Sequence, residues 1–345
     1  MKVALLLYGQ PRFFQYTYKY ILKEYTIKDC ETHIFAHFWK DIGFGPEDDK
    51  SHTYYNIENL DELLHNINAK KYLIEDYTDL DEALLYIEKE INKKHNRYKL
   101  GQHISMEKCF SLIQQYQREN NVKYDIVIKA RTDILPILDK SSYNTKIEYE
   151  DVKYNNYIAP FKTFSPGTKN IVVPDFLAFQ IPEELLDNEY YYKKRQENQN
   201  PDFPPGAFDQ VLQLLIKIKK QHIYKHKRVY IAIGTDIFNV ADYKSAEIIY
   251  NNWLQKYIDI YKEYYNTDIY KHFLTRIHAV FNFFLLRERV NMHGTLCRKR
   301  YQRLVYSKSC KEKFIRNPRK GAIIIEDFSQ LNDEYIHSKI NKYNK

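Results

Sequence analysis

Glycine and proline are scarce in this chain, nine and eleven residues among 345, and no internal repeat or low-complexity tract breaks it up. Its four cysteines, Cys30, Cys109, Cys297 and Cys310, lie far apart. No close-spaced pair is available to seed a zinc site or a redox dithiol. The early apolar run from Val3 to Leu7 is too short for a signal-peptide core or a membrane span, and Gly9, Gln10 and Pro11 end it at once. The expectation is a cytoplasmic protein. Familiar glycine motifs are missing as well. Gly43-Phe44-Gly45 has neither the third glycine nor the preceding strand of a dinucleotide loop, and there is no P-loop and no Gly-x-Ser-x-Gly elbow.

What is present excludes disorder as a general description: 44% of the residues are hydrophobic and 28% charged, with 33 Tyr, 19 Phe and 2 Trp to bury. The length suits one large core, or a core with an appendage. The formal charge is +8, but residues 287–320 hold twelve Lys and Arg against Glu288 and Glu312, a local +10. The basic character therefore belongs to one segment.

Lys2 to Tyr8 reads as a fully buried strand, followed by a turn and a helix through about Tyr25. Thr32 to Trp39 reads as a second strand, with His33, Phe35, His37 and Trp39 on one side and Ile34, Ala36 and Phe38 on the other. A polar loop from Asp41 to Asn56 interrupts the pattern. Leu60 to Ile67 suggests a short helix, Lys71 to Glu75 a third strand, and Asp79 with Glu82 a capping box opening a helix to about Lys94. A helical period runs from His103 to Glu119, and Asp125 to Ala130 reads as a fourth strand. Strands alternating with helices imply a mostly parallel, Rossmann-like sheet flanked by helices, an α/β fold.

Beyond Asp133 short extended pieces are expected at Tyr157 to Phe161, Ile171 to Val173 and Asp175 to Gln180. Helices are expected near Pro182 to Lys194 and Gly206 to Gln221, and a strand from Arg228 to Ile233. From about Ser245 the pattern is helical almost to Val305. That divides the chain into an α/β domain, 1–240, and a helical, basic C-terminal region, 241–345, packed on it.

In an open parallel sheet the ligand crevice lies beyond the carboxyl ends of the strands, which gives weight to residues just after them. Gly9-Gln10-Pro11-Arg12 places a guanidinium there that could pair with a diphosphate, and an amide that could bond a base or ribose. The plain alternative is an ordinary strand-to-helix turn. Ile126 to Asp133 is a buried strand ending in Arg131-Thr132-Asp133. A carboxylate at such an edge can bind a divalent cation, and a neighbouring arginine can share in neutralising a phosphate. Alternatively, Arg131 and Asp133 pair with each other. His33 and His37, four apart in a strand, face one way and lack a supporting Glu motif, so they read as structural.

Taken in order, strand-GQPR, then Ile34-Phe35-Ala36-His37-Phe38-Trp39, then Gln102 and Ser105 opening a helix, then Tyr124 to Asp133, and Asp175 to Phe179 downstream, the pattern over roughly residues 1–185 resembles the WavE-type lipopolysaccharide-biosynthesis glycosyltransferases. The resemblance implies a GT-A-like fold in which a nucleotide-sugar lies across the edge of the sheet and an acidic motif holds Mn²⁺ or Mg²⁺. It implies nucleotide-sugar binding by Gly9, Gln10, Arg12, Trp39, Gln102, Ser105 and Lys129, and a glycan or lipid-linked acceptor in surface glycan or polysaccharide synthesis. The usual Asp-x-Asp is Arg131-x-Asp133 here, so only Asp133 carries over as a metal ligand. Arg131, Arg12 and Lys129 would then help offset the leaving diphosphate's charge. Lys129 alternates away from Ile128 in its strand, where its ammonium could instead snorkel. The base that takes the acceptor's proton in an inverting transfer is expected in the first turn of a later helix, which fits Asp209 after Pro204-Pro205-Gly206. Asp175 competes for that role, and Asp236 is a third candidate. An acid in a first helical turn also simply complements the helix dipole.

The apolar run through Phe281, Phe284 and Met292 with Arg298, Lys299, Arg300 and Arg303 has several readings. It could be a helix meeting an anionic membrane surface, an apolar stripe docked on the catalytic domain with a solvated cationic face, or a polyanion-binding segment. Two other functions compete with the glycosyltransferase: a non-catalytic polyanion or nucleic-acid binder using residues 287–320, and a nucleotidyltransferase on the same sheet. No recognisable nucleic-acid motif accompanies the charges.

Overall fold

Apolar residues at consecutive rather than alternate positions bury Val3 to Gly9 on both faces, as a strand inside a parallel sheet requires. The structure, a computed structural model, describes residues 1–11, 14–40, 59–91, 97–132, 134–138, 149–164, 168–173, 179–182, 228–231, 238–264, 281, 284–285, 288, 290–294, 299–306, 322–325, 332, 334–335 and 338. Its strands are β1 (Lys2–Gly9), β2 (Glu31–Trp39), β3 (Ala69–Glu75), β4 (Ile126–Arg131), β5 (Ile134–Leu138), β6 (Asn170–Val173), β7 (Phe179–Pro182), β8 (Arg228–Ile231), β9 (Phe238–Asp242), β10 (Asn291–Gly294), β11 (Lys299–Tyr306) and β12 (Ala322–Ile325). Its helices are α1 (Phe14–Tyr25), α2 (Leu60–Asn66), α3 (Tyr77–Ile91), α4 (Arg97–Asn120), α5 (Tyr149–Tyr157), α6 (Ala159–Thr163), α7 (Tyr243–Tyr250) and α8 (Trp253–Tyr264).

Seven strands form the main sheet in the order β10-β6-β9-β4-β1-β2-β3. Neighbours are parallel except around β9, which runs antiparallel to both β4 and β6. Each face carries its own core. Leu5, Leu7, Ile34, Ala36, Phe38 and Ile128 pack against Phe14 and Ile21 of α1, Leu64 of α2 and Tyr157 of α5. Leu6, Tyr8, Phe35, Trp39 and Val127 meet α3, α4, α7 and α8 on the other face. The result is the expected α/β sandwich of helices around a mostly parallel sheet.

Differences from the sequence reading have local causes. Tyr157 to Phe161, expected to be extended, is helical, because Pro160 sits in the first turn of α6, where its missing N–H costs nothing. The cap of α3 lies three residues earlier than expected: the N–H of Asp76 donates to the Asp79 carboxylate at 3.1 Å, so Asp79 stands in the first turn rather than at the cap. The boundary expected near residue 240 falls inside β9, an interior strand, and α7 and α8 beyond it share a core with β1 and β2.

Helix is observed in α7 and α8, but three strands follow. β10 joins the main sheet beside β6, and β11 is the middle strand of a second sheet, β12-β11-β5. The basic stretch from Lys299 to Arg303 is therefore not the surface helix weighed in one reading. It is extended because β5 supplies backbone partners from Lys299 to Arg303, and β12 pairs the strand on its other side from Arg303 to Tyr306. The polar loop at 41–56, Gly43-Phe44-Gly45 and the helices expected at 182–194 and 206–221 lie outside the described residues. Among the described residues no helix is long and apolar enough to cross a membrane.

Candidate functional site

The strand order gives the sheet one natural crevice. From β1 the chain moves outward through β2 to β3 with α1 and α2 on one face, then returns to β4 on the other side of β1 with α3 and α4 on the opposite face. At such a reversal of strand order the carboxyl ends of β1 and β4 are where a ligand crevice is expected. Those two ends carry Gly9-Gln10 and Arg131-Thr132.

The register puts Tyr8 of β1 beside Arg131 of β4 and beside His37 of β2. The turn after β1 is held from both directions. On one side the Gly9 N–H donates to Ser105 Oγ at 2.7 Å, and on the other the Gln10 carbonyl accepts from Thr132 Oγ1 at 2.9 Å. The Thr132 carbonyl in turn accepts from Thr17 Oγ1 of α1 at 2.5 Å. Gly9 has φ +100°, a backbone state that L residues rarely adopt, which is why glycine stands here. Gln10 and Arg131 are both half-buried at this rim.

Behind the turn lies a buried polar chain. Ser105 Oγ is 2.7 Å from His37 Nδ1, and His37 Nε2 is 2.5 Å from Glu75 Oε2, at the carboxyl end of β3. Lys108 Nζ donates to the same Glu75 oxygen at 2.6 Å and stands 5.4 Å from the centroid of the Trp39 ring. Burial holds His37 below its ordinary pKa, so the imidazole is neutral near pH 7. The hydrogen bond from His37, aided by Lys108, brings Glu75 down to about 2. A neutral ring facing an ionised carboxylate carries its proton on Nε2, and the one Ser105 hydroxyl proton is shared between His37 Nδ1 and the His37 carbonyl, to which it donates at 2.9 Å. The order Ser-His-Glu copies a hydrolase triad in composition only. Ser105 and His37 are fully buried, and the serine oxygen already accepts from the Gly9 amide.

Several residues expected at the site are placed by this arrangement. Gly9, Gln10, Ser105, Arg131 and Lys129 gather around the ends of β1 and β4. Gln102 Nε2 donates to the Tyr8 hydroxyl at 3.3 Å from the first half of α4. Trp39 is buried, and its indole N–H donates to the Gly101 carbonyl at 3.0 Å. Trp39 and Ser105 thus stand behind the crevice rather than in it. Arg12, Asp133, Asp175, Asp209 and Asp236 lie outside the described residues. Among the described residues no three His, Cys, Asp or Glu side chains converge as a metal site.

Sequence reasoning missed Glu75, Lys108 and Thr132. The rule that singled out Gln10 and Arg131, position just after a parallel strand, applies equally to Glu75. Thr132 sat within the Arg-x-Asp motif but was passed over for its charged neighbours.

No protein-family model and no curated protein sequence matches the chain. Among solved structures, mouse xyloside xylosyltransferase 1 in its apo form superposes with a TM-score of 0.36 and 10% identity, over 85% of each chain. The inositol-1-phosphate CTP transferase from T. maritima superposes with a TM-score of 0.31 and 9% identity, over 100% of this chain and 97% of that one. Both similarities are distant.

Proposed function

We propose that the chain is a glycosyltransferase that moves a sugar from a nucleoside diphosphate donor to a hydroxyl acceptor on a glycan or a lipid-linked glycan. The observation that carries this reading is the meeting of the turn after β1 with the end of β4 at the reversal of strand order, where Thr132 bonds Gln10 and Arg131 stands beside Tyr8. The resemblance to WavE-type enzymes covers the same two segments.

In this reading Gln10 and Arg12 hold the nucleotide diphosphate, and Arg131 offsets the charge of the leaving group. Asp209 or Asp175 takes the acceptor's proton. Asp133 is the residue that would hold Mn²⁺ or Mg²⁺, which would supply further charge neutralisation at the diphosphate. The backbone ladder of β5 and β11 sets Arg303 opposite Ile134, the residue after Asp133, so part of the basic segment borders this rim.

The test is release of nucleoside diphosphate from a panel of nucleotide-sugars, with and without Mn²⁺ and an acceptor-glycan mixture, for the parent, Arg131→Ala and Asp133→Asn. The expected result is one preferred donor and a drop of about 10²-fold or more for Arg131→Ala. No turnover of any donor, with no nucleoside diphosphate bound, would reject the proposal. Asp133→Asn as active as the parent would remove the metal role alone. Release of pyrophosphate from a nucleoside triphosphate would instead identify a nucleotidyltransferase.

A further inference from the structure

Lys129 lies two residues inside the rim, on the α4 side of the sheet, and is only 2% exposed. Its ammonium stands 5.2 Å from the centroid of the Tyr8 ring and 5.3 Å from that of Phe281. These rings are its contacts among the described residues, and no carboxylate pairs with it there. Two ring faces recover less than it costs to remove an ammonium from water.

Two neighbouring groups, the Asn239 amide nitrogen and the Trp253 indole N–H, are also donors. Asn239 stands opposite Lys129 in the ladder of β4 and β9, so the two side chains leave the same face of the sheet. It is fully buried, its Oδ1 accepts from the Tyr250 hydroxyl, and its Nδ2 has no acceptor among the described residues. The Trp253 ring lies 5.4 Å from that of Phe281, and its buried indole N–H also has no acceptor among the described residues. Native interiors rarely leave such donors without partners. Turning the Asn239 amide over would offer Lys129 a carbonyl but no opposite charge. Among the described residues, an oxyanion is the kind of group that would satisfy Lys129 and both donors at once.

We propose that Lys129 and Asn239, walled by Tyr8 and Phe281, form an inner subsite for an oxyanion of the substrate, one layer below the rim. For its occupant the proposal rests on the nucleotide-sugar reading. Tyr8 is beside Arg131 in register and beneath its ring is Lys129, so a phosphate held at Lys129 is contiguous with one neutralised at Arg131. The subsite thus takes the inner phosphate of the donor.

The experiment is thermal unfolding of the full chain in low-salt, phosphate-free buffer. Inorganic phosphate, pyrophosphate, and UDP, GDP, ADP and CDP are added singly at constant ionic strength to the parent, Lys129→Met and Asn239→Asp. Saturating pyrophosphate is expected to raise the parent's melting temperature by about 2 °C or more. Without anion, Lys129→Met melts above the parent, because a buried ammonium faced only by aromatic rings among the described residues is gone, and pyrophosphate no longer shifts it. Asn239→Asp supplies the carboxylate from within, so it also melts above the parent and ignores pyrophosphate. A parent that no anion shifts, a Lys129→Met protein that melts no higher, an Asn239→Asp protein that melts lower, or a variant that shifts as the parent does would each overturn the subsite. If pyrophosphate acts through Lys129 but no nucleoside diphosphate does, the subsite stands and the nucleotide-sugar reading fails. If a nucleoside diphosphate shifts all three proteins equally, the reverse holds.

Discussion

The hydroxyl of Thr132 donates to the carbonyl of Gln10 at 2.9 Å, joining the end of β4 to the turn after β1. Because the Thr132 carbonyl also accepts from Thr17, one residue couples two strand ends and the first helix. Thr132→Val keeps the shape and removes the donor, leaving a carbonyl short of a partner next to a side chain only 2% exposed. The expected cost is about 1–2 kcal/mol in urea unfolding, with Thr132→Ser close to the parent. On the proposed function, nucleoside diphosphate binding weakens in the valine variant and survives in the serine variant. Equal stability of the two variants would show that the hydroxyl does not hold the turn.

At Gly9 the expected cost comes from the backbone alone. An added Cβ would meet nothing within 4 Å, yet φ is +100°. Gly9→Ala should therefore lose about 1–2 kcal/mol from positive-φ strain without any packing clash. Denaturant midpoints measured at an unchanged m-value check this. A neutral Gly9→Ala would mean that the turn relaxes to negative φ and that Ser105 does not fix it.

Much of this arrangement was legible in the residues, for physical reasons that also mark where legibility ends. Val3 to Leu7 and Ile126 to Ile128 announce themselves because strands buried on both faces are apolar at consecutive positions, and the carboxyl-end rule then singles out Gln10 and Arg131. Local patterns could not supply partners distant in sequence. Lys299 to Tyr306 is a strand because β5 and β12 lie on either side of it, and no period within the segment encodes that. The Gly9–Ser105–His37–Glu75 chain spans four elements, and its members were visible only as separate residues. The family resemblance makes Ser105 and Trp39 ligand-facing, whereas tertiary packing turns both into supports behind the turn.

Ser105 separates a structural from a catalytic reading of the buried polar chain. Ser105→Ala leaves the Gly9 N–H and His37 Nδ1 without the oxygen they share, and both are buried. A loss of about 2–3 kcal/mol is expected. Because the hydroxyl is sealed from solvent, a serine-directed fluorophosphonate should leave the native protein unlabelled. Stoichiometric labelling at Ser105 would reverse this assignment and make the Ser-His-Glu chain a working nucleophile.

The same chain makes stability depend on pH in a defined direction. His37 is held below its ordinary 6.5 by burial, so the unfolded chain takes up that proton first, and stability declines as pH falls through 6.5. Glu75 drops from 4.5 to about 2 through its bonds with His37 and Lys108. Its contribution is fully present above pH 4.5 and is lost as pH falls from there toward 2. For a carboxylate with 18% of its side chain exposed, that is worth about 2 kcal/mol after solvent screening. Glu75→Gln keeps an acceptor for His37 Nε2 but cannot ionise. Its melting temperature should therefore lie below the parent's at pH 7 and change less between pH 4.5 and 2.5. A variant whose acid profile runs parallel to the parent's across that interval would show that Glu75 is not the group whose protonation loosens the rim.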